Sequence, residues 1–322
     1  MPDSHVLFIK TSSLGDVIHH MPALTEARAR RPGAHLSWVV EGAFAPLVRL
    51  HPAVDEVIPV ALRRWRRALV APSTWPEIVR FRNAMRARRY DTIVDTQGLL
   101  KSALLVGPAR GVRHGYDAQS IKEPFASRFY HVRHAVSKEQ HAIARNRALT
   151  GMALGYTPEG PPDYGLDRSA IAEPAGKPYG VLLHATARAD KQWPEDRWRS
   201  LAAMLGNDID LLLPFGTDDE RARGQRIASG IARARVAGRR PIDGMARLIA
   251  GAAFVVGVDT GLLHLAAALG VPLIAIFTAS EPGLTGPVGA GPLTVLGAKG
   301  REPSVDEVRE AVARIRDQAR RS

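Results

Sequence analysis

Short apolar runs separated by helical stretches recur along this chain, and the pattern starts twice. In the first half the runs are Val6–Lys10, His35–Val40, Glu56–Pro59 and Thr92–Asp95, with helical stretches over Asp16–Arg30, Ala43–Leu50 and Trp75–Arg89. In the second half Tyr179–His184, Asp210–Pro214, Phe254–Val258 and Pro272–Phe277 alternate with Pro194–Leu205, Glu220–Ile231 and Leu262–Leu269. Such alternation predicts parallel sheets with helices on both faces. The expected fold class is α/β: two Rossmann-like, doubly wound parallel-sheet domains facing across a cleft. Residues 1–160 form the first domain, 161–178 the linker and 179–302 the second domain. A last helix within 303–322, begun by Ser304 as cap with Glu307 three residues on, could pack back on the first domain. The stretch "YTPEGPPDYGLDRSAIAEPAGKP" (156–178) is rich in Pro and Gly and lacks a long periodic pattern, so it reads as the interdomain connection. Pro22 falls inside the first helical stretch and should lie in its first turns or kink it.

Charge separates the halves. Residues 1–160 hold 23 Lys and Arg against 13 Asp and Glu; residues 161–322 hold 21 against 19. The first half should therefore meet something anionic: nucleic acid, an acidic membrane surface or a phosphorylated substrate. A genome that favours arginine explains the choice of cation but not the asymmetry. The chain has no cysteine, which excludes disulfides, thiolate metal sites and a Cys nucleophile and fits a reducing compartment. "MPDSHVLFIK" reads as neither signal peptide nor membrane span, and "LLHLAAALGVPLIAIF" is interrupted by His264, Gly270 and Pro272.

Ligands of open parallel sheets collect beyond the carboxyl ends of strands, and that rule sorts the candidates. "KTSSLGDVIHHMPAL" (10–24) lacks both nucleotide-binding glycine fingerprints. Ser12, Ser13 and Gly15 could still offer hydroxyls and amides to an anion, while Asp16 either caps the helix or acts as a base. In "VGVDTGLLHLAAALGVP" (256–272) the strand ends in Asp259, Thr260 and Gly261, and His264 lies in the first helical turn. The amides there suit a diphosphate; Asp259 would accept from sugar hydroxyls or cap the helix. In "LLHATARADKQWP" (182–194), Lys191 near a helix start opposes the dipole unless an anion sits there; otherwise it is a solvated loop lysine. Glu220, after Gly216 and Thr217, could bond a ribose or favour a helix N-terminus. Arg63, Arg64, Arg66 and Arg67 flank Trp65, and four guanidiniums suit phosphate and carboxylate groups; a solvated basic helix is the alternative. Asp95, Gln97 and Lys101 could line an acceptor side, and Asp95 could equally cap the next helix. Asp208 and Asp210 form a D-x-D pattern at the wrong end of a strand and read as a turn. No His, Asp or Glu cluster has metal-ligand spacing, so neither metal nor cofactor is expected.

Together "VLFIKTSSLGDVIHHMPAL", "WVVEGAF", "VIPVALRRWRR", "DTQGLLKSALL", "HATARADKQWPE" and "VDTGLLHLAAALGVP" resemble the lipopolysaccharide heptosyltransferases, glycosyltransferase family 9 of the GT-B fold. The resemblance runs in order from residue 6 to about 285. It implies an enzyme that moves L-glycero-D-manno-heptose from ADP-heptose to a Kdo sugar of Kdo2-lipid A, with the acceptor on the first domain and the sugar nucleotide on the second. It further implies Asp16 as general base and Lys191 as the cation on the leaving diphosphate. Donor contacts would come from Ser13, Gly15, Thr186, Ala187, Lys191, Glu220, Asp259, Thr260, Gly261 and His264. Acceptor contacts would come from Arg63, Arg64, Arg66, Arg67, Gln97 and Lys101. Ala187 is a departure, standing where a second hydroxyl is expected after Thr186. The implied reaction is an inverting, metal-independent displacement by a monomer at the cytoplasmic face of the inner membrane, an anionic surface. Addition of the second heptose is the nearest alternative. A non-catalytic basic protein for RNA or anionic lipid is the distant one, and it lacks an RNA-binding signature. A NAD-dependent dehydrogenase is disfavoured because neither half carries GxGxxG.

Overall fold

The computed structural model describes residues 4–68, 71–173 and 176–321. The chain divides between Gly165 and Leu166 into two compact units, inside the stretch expected as the connection. In the first unit the strands are β1 (His5–Ile9), β2 (His35–Glu41), β3 (Glu56–Val60), β4 (Arg89–Asp95), β5 (Arg110–Tyr116) and β6 (Val132–His134). Its helices are α1 (Leu14–Ile18), α2 (Met21–Arg30), α3 (Ala45–Val48), α4 (Leu62–Arg67), α5 (Thr74–Arg86), α6 (Leu100–Val106) and α7 (Ala142–Leu154). The second unit holds strands β7 (Tyr179–Leu183), β8 (Asp210–Leu213), β9 (Ala234–Val236), β10 (Phe254–Val258), β11 (Leu273–Ile276) and β12 (Leu293–Leu296). Helices α8 (Arg168–Ile171), α9 (Glu195–Leu205), α10 (Asp218–Ala228), α11 (Ile242–Ala250), α12 (Gly261–Ala268) and α13 (Val305–Arg321) complete it.

Both sheets are parallel throughout and share one topology. The spatial order is β3-β2-β1-β4-β5-β6 in the first and, read in the same sense, β9-β8-β7-β10-β11-β12 in the second. The direction of winding reverses between β1 and β4 in one and between β7 and β10 in the other. Those are the crevices where this topology takes its ligands. The central strands are apolar and buried; Leu7, Phe8 and Ile9 of β1 and every residue of β10 are shut from solvent, as strands covered on both faces must be.

Two features depart from the expected elements. The stretch Asp16–Arg30 is two helices, because proline lacks an N–H and its ring would strike the carbonyl four residues back. The break at His19 and His20 places Pro22 in the first turn of α2, where its missing N–H is no loss. Strands β5, β6, β9 and β12 and helices α7 and α11 were not anticipated. In β5 the sequence RGVRHGY carries two arginines and a histidine because only its last two residues are buried. Helix α13 lays Val308, Ala311, Val312 and Ile315 against Trp198, Phe254, Ile274 and Ile276 in the core of the second unit. Its predicted cap is present: the Ser304 amide donates to Glu307 Oε2 at 2.7 Å, and the Glu307 amide donates to Ser304 Oγ at 3.2 Å.

Candidate functional site

Beyond the carboxyl ends of β1 and β4, the first unit holds a pocket of about 300 Å³. Asp16 is the one acid in its lining, against five cations: Lys10, Arg63, Lys101, Lys122 and Arg145. Ser12, Ser13, Gln97, Tyr116 and Asn146 also line it. Asp16 does cap α1: its Oδ2 accepts from the Ser13 amide at 2.7 Å and the Ser13 hydroxyl at 3.0 Å. Both bonds fall on Oδ2, so capping and chemistry are not exclusive alternatives for this carboxylate.

Gln97 supports this pocket from below. Its side-chain oxygen accepts from the Thr11 amide at 2.9 Å, the Ser12 amide at 3.1 Å and the Thr11 hydroxyl at 3.3 Å. Lys101 Nζ donates to Ser12 Oγ at 3.3 Å. The question over Asp95 is answered by its burial. One oxygen accepts from the amides of Gln97 (2.9 Å) and Gly98 (3.3 Å), the other from the Tyr130 hydroxyl (2.7 Å). It therefore ties β4 to the turn carrying Gln97 and lines no pocket surface, and burial pushes its carboxyl up. Gly98 takes φ +65° to make that turn, a conformation glycine adopts without strain.

Lys10, Lys122, Arg145 and Asn146 were not singled out in the sequence. Lys10 had a signal: a cation closing an otherwise apolar strand. Its ammonium is buried and donates to the Thr96 carbonyl (2.9 Å) and Asn146 Oδ1 (3.4 Å). Burial lowers its pKa, and the charges of Asp16 and Asp95 oppose that shift. Arg145 and Asn146 come from α7, and the guanidinium of Arg145 lies 4.8 Å from the centroid of Tyr116.

The four arginines of α4 do not act alike. Arg63 reaches the Asp16 pocket, and with Arg64 and Arg67 it lines a neighbouring hollow of about 520 Å³. Arg64 is held by Glu77 in a two-pronged pair at 2.9 and 2.6 Å. Trp65 is buried, edge-on to Phe81, with its indole N–H on Glu77 at 2.9 Å. Arg66 and Arg67 are exposed.

In the second unit, Asp259 at the end of β10 gathers two expected residues, Lys191 and Thr186, and one that was missed, Ser280. Its Oδ2 accepts from Lys191 Nζ at 2.5 Å and from the Ser280 hydroxyl at 2.6 Å, and its carbonyl accepts from the Thr186 hydroxyl at 2.9 Å. Burial alone would raise the Asp259 pKa, but hydrogen bonds from Lys191 and Ser280 and the Lys191 charge hold it below the usual value. Lys191 ends a single 3-10 turn, Ala189–Lys191, and Ala187 is exposed beside it. Thr260 is the N-cap of α12 in extended conformation, Gly261 opens the helix, and His264 is buried in its first turn. Glu220 sits elsewhere: its Oε2 accepts from the amides of Gly216 (2.6 Å) and Thr217 (3.2 Å) in a capping box on α10. The helix-start alternative thus accounts for that oxygen.

A larger hollow of about 640 Å³ opens at the opposite, amino end of the second sheet, where Asp210 of the D-x-D pattern lies. Its arginines are engaged: Arg235 with Asp210 (3.3 Å), Arg240 with Glu173, and Arg168 with the carbonyls of Ala250 and Ala252 (both 2.8 Å). Among the described residues, no group of three or more His, Asp or Glu side chains is arranged to hold a metal ion.

The sequence model described as "Glycosyltransferase family 9 (heptosyltransferase)" matches residues 78–312. "Lipopolysaccharide heptosyltransferase 1" of Escherichia coli O18:K1:H7 is 46% identical over 93% of each chain. "Lipopolysaccharide heptosyltransferase 2" of Escherichia coli strain K12 is 24% identical over 88% of this chain and 85% of that one. Among solved structures, "E. coli heptosyltransferase WaaC with ADP" superposes with a TM-score of 0.92 at 43% identity, over 97% of this chain and 99% of that one. "E. coli heptosyltransferase WaaC with ADP-2-deoxy-2-fluoro heptose" does so at 0.88 and 42%, over 96% and 99%.

Proposed function

Because the chain belongs to glycosyltransferase family 9, the heptosyltransferases, we propose that its two half-sites divide one displacement reaction between them. The activity is that of a lipopolysaccharide heptosyltransferase of type 1, the type 2 enzymes being distant relatives. In our reading the donor is ADP-heptose, held by the second unit, and the acceptor is a Kdo hydroxyl of Kdo2-lipid A, held by the first. The solved relatives with ADP and with a fluorinated ADP-heptose support the donor.

The observation that carries the acceptor assignment is the Asp16 pocket: a single carboxylate among five cations. Kdo brings a carboxylate and lipid A brings phosphates, and lysines and arginines at that density recognise such groups. The acceptor oxygen attacks the anomeric carbon as its proton passes to Asp16, and the bond from that carbon to the diphosphate oxygen breaks. One displacement gives inversion, and ADP leaves. Lys191 balances charge developing on the diphosphate, aided by the amides at the start of α12. Asp259 holds the lysine beside that position and Thr186 and Ser280 hold Asp259. A fixed cation can supply this electrostatic work, so the reaction is proposed to need no metal. A nucleotide-sugar donor and a lipid acceptor put a monomeric enzyme at the cytoplasmic face of the inner membrane.

The test is transfer from ADP-heptose to Kdo2-lipid A in EDTA, read as ADP release and as the intact mass of the lipid. One added heptose is expected with the wild type. Asp16→Ala should lose transfer while still binding ADP-heptose. Undiminished transfer by Asp16→Ala would return that residue to capping alone, and transfer only after magnesium is restored would end the metal-free mechanism.

A further inference from the structure

Helix α5 turns an unusual face to solvent. Phe81 and Met85 are buried against the first unit's sheet, as its periodicity requires. At 100° per residue, Trp75, Val79, Arg82 and Arg86 fall on a single stripe on another side of the helix. Trp75 is 56% exposed and Val79 51%, and both arginines are exposed. A water-facing helix does not gain by placing tryptophan and valine there. Residues 62–89 hold nine arginines and a single acid, Glu77, which Arg64 already engages.

We propose that this stripe is a docking surface for an anionic lipid bilayer, with Trp75 and Val79 entering the interface and Arg82 and Arg86 meeting the head groups. Tryptophan favours the boundary between hydrocarbon and water, and long basic side chains lay their stems on apolar surface while their charges meet phosphates. The combination is that of a helix lying on a membrane rather than in one. Among the described residues no helix is long and apolar enough to span a bilayer. The inference deepens the proposed function, since it rests on a lipid acceptor; Arg63 of the neighbouring α4 lines the proposed acceptor pocket.

Trp75 supplies its own probe, because the other four tryptophans, Trp38, Trp65, Trp193 and Trp198, are buried. The full chain is titrated with vesicles of phosphatidylethanolamine and phosphatidylglycerol, free of acceptor, and separately with phosphatidylcholine. Expected are a blue shift of Trp75 emission and quenching by brominated acyl chains with the anionic vesicles only, both abolished in Trp75→Phe. Arg82→Gln with Arg86→Gln should weaken partitioning about 30-fold, near fivefold for each arginine. Trp75→Ser with Val79→Ser should weaken it about tenfold or more. Both double variants should transfer heptose to a water-soluble, deacylated acceptor at the wild-type rate, since none of these four residues lines the half-sites. Vesicle binding unchanged by either double variant, or Trp75 as open to acrylamide with vesicles as without, overturns the docking surface. Loss of transfer to the soluble acceptor by the wild type would overturn the proposed function instead, so the two failures are distinct.

Discussion

Replacing Gln97 by alanine should damage the enzyme through its fold as well as its rate. The Gln97 side-chain oxygen is the acceptor for the amides of both Thr11 and Ser12. Thr11 is fully buried and Ser12 is 7% exposed, so neither amide has ready access to water. A buried donor left without a partner costs about 1–3 kcal/mol, which puts Gln97→Ala near 3 kcal/mol for the pair. For a unit of this size that lowers the melting temperature by about 6–12 °C. The Thr11–Ser12 segment leads directly into α1 and Asp16, and a displacement of about 1 Å at a reacting group costs on the order of 100-fold in rate. Calorimetry and steady-state kinetics should therefore show a lowered transition and a lowered kcat, with the KM for ADP-heptose unchanged. Gln97→Glu keeps an oxygen in place and should recover most of the stability. If Gln97→Ala melts within about 2 °C of wild type, or Gln97→Glu is no better than alanine, the oxygen does not support the segment and the argument is refuted.

Three further outcomes follow from the geometry. Lys191→Ala removes the cation and leaves the Asp259 carboxylate with the Ser280 hydroxyl; kcat should fall about 100- to 1000-fold, read by single-turnover ADP release. Burial lowers the His184 pKa to about 4 from 6.5. The unfolded chain thus takes up the proton first, so the contribution is complete above pH 6.5 and is lost as pH falls toward 4. That is worth on the order of 3 kcal/mol, and denaturant midpoints measured across this window should depend less on pH in His184→Gln. Deleting residues 304–322 uncovers a face of the second sheet otherwise sealed by Val308, Val312 and Ile315. At about 1.5–3 kcal/mol for each buried aliphatic side chain, the second unit should lose cooperative unfolding and ADP binding together, by calorimetry and titration.

The central strands were legible because burial on both faces leaves a continuous apolar run in β1, β7 and β10, while β4 shows only Ile93 and Val94 before Asp95. The carboxyl ends of those strands, where candidates were sought, were legible as well; the strand order that makes two of them switch points comes from the folded chain. What escaped was at or next to the edges, where half-exposed strands admit arginine and histidine, as in β5, or shrink to three residues, as in β6 and β9. The candidate pocket was half visible. Asp16, Gln97 and Lys101 announced themselves by position after strands. Lys122, Arg145 and Asn146 are brought in by a loop and by α7, which has no helical apolar stripe to betray it: its buried residues include Asn146, Arg147 and Thr150. Nothing local separates a binding arginine from a structural one. Arg64 pairs with Glu77 thirteen residues away, and only the folded chain reveals it.

The placement of α13 has a consequence for how the protein is made. Every strand and helix of the first unit is encoded before Leu166, and the last helix closes the second sheet. On a ribosome adding about 5–20 residues per second, the remaining half of the chain takes roughly 8–30 s to emerge. The first unit is thus free to complete its sheet in that interval. The second must wait for α13 to emerge, and in that time its sheet lacks the cover of Val308, Val312 and Ile315. Chaperone dependence, nascent-chain proteolysis and the damage done by premature stop codons should therefore concentrate in the later half of synthesis.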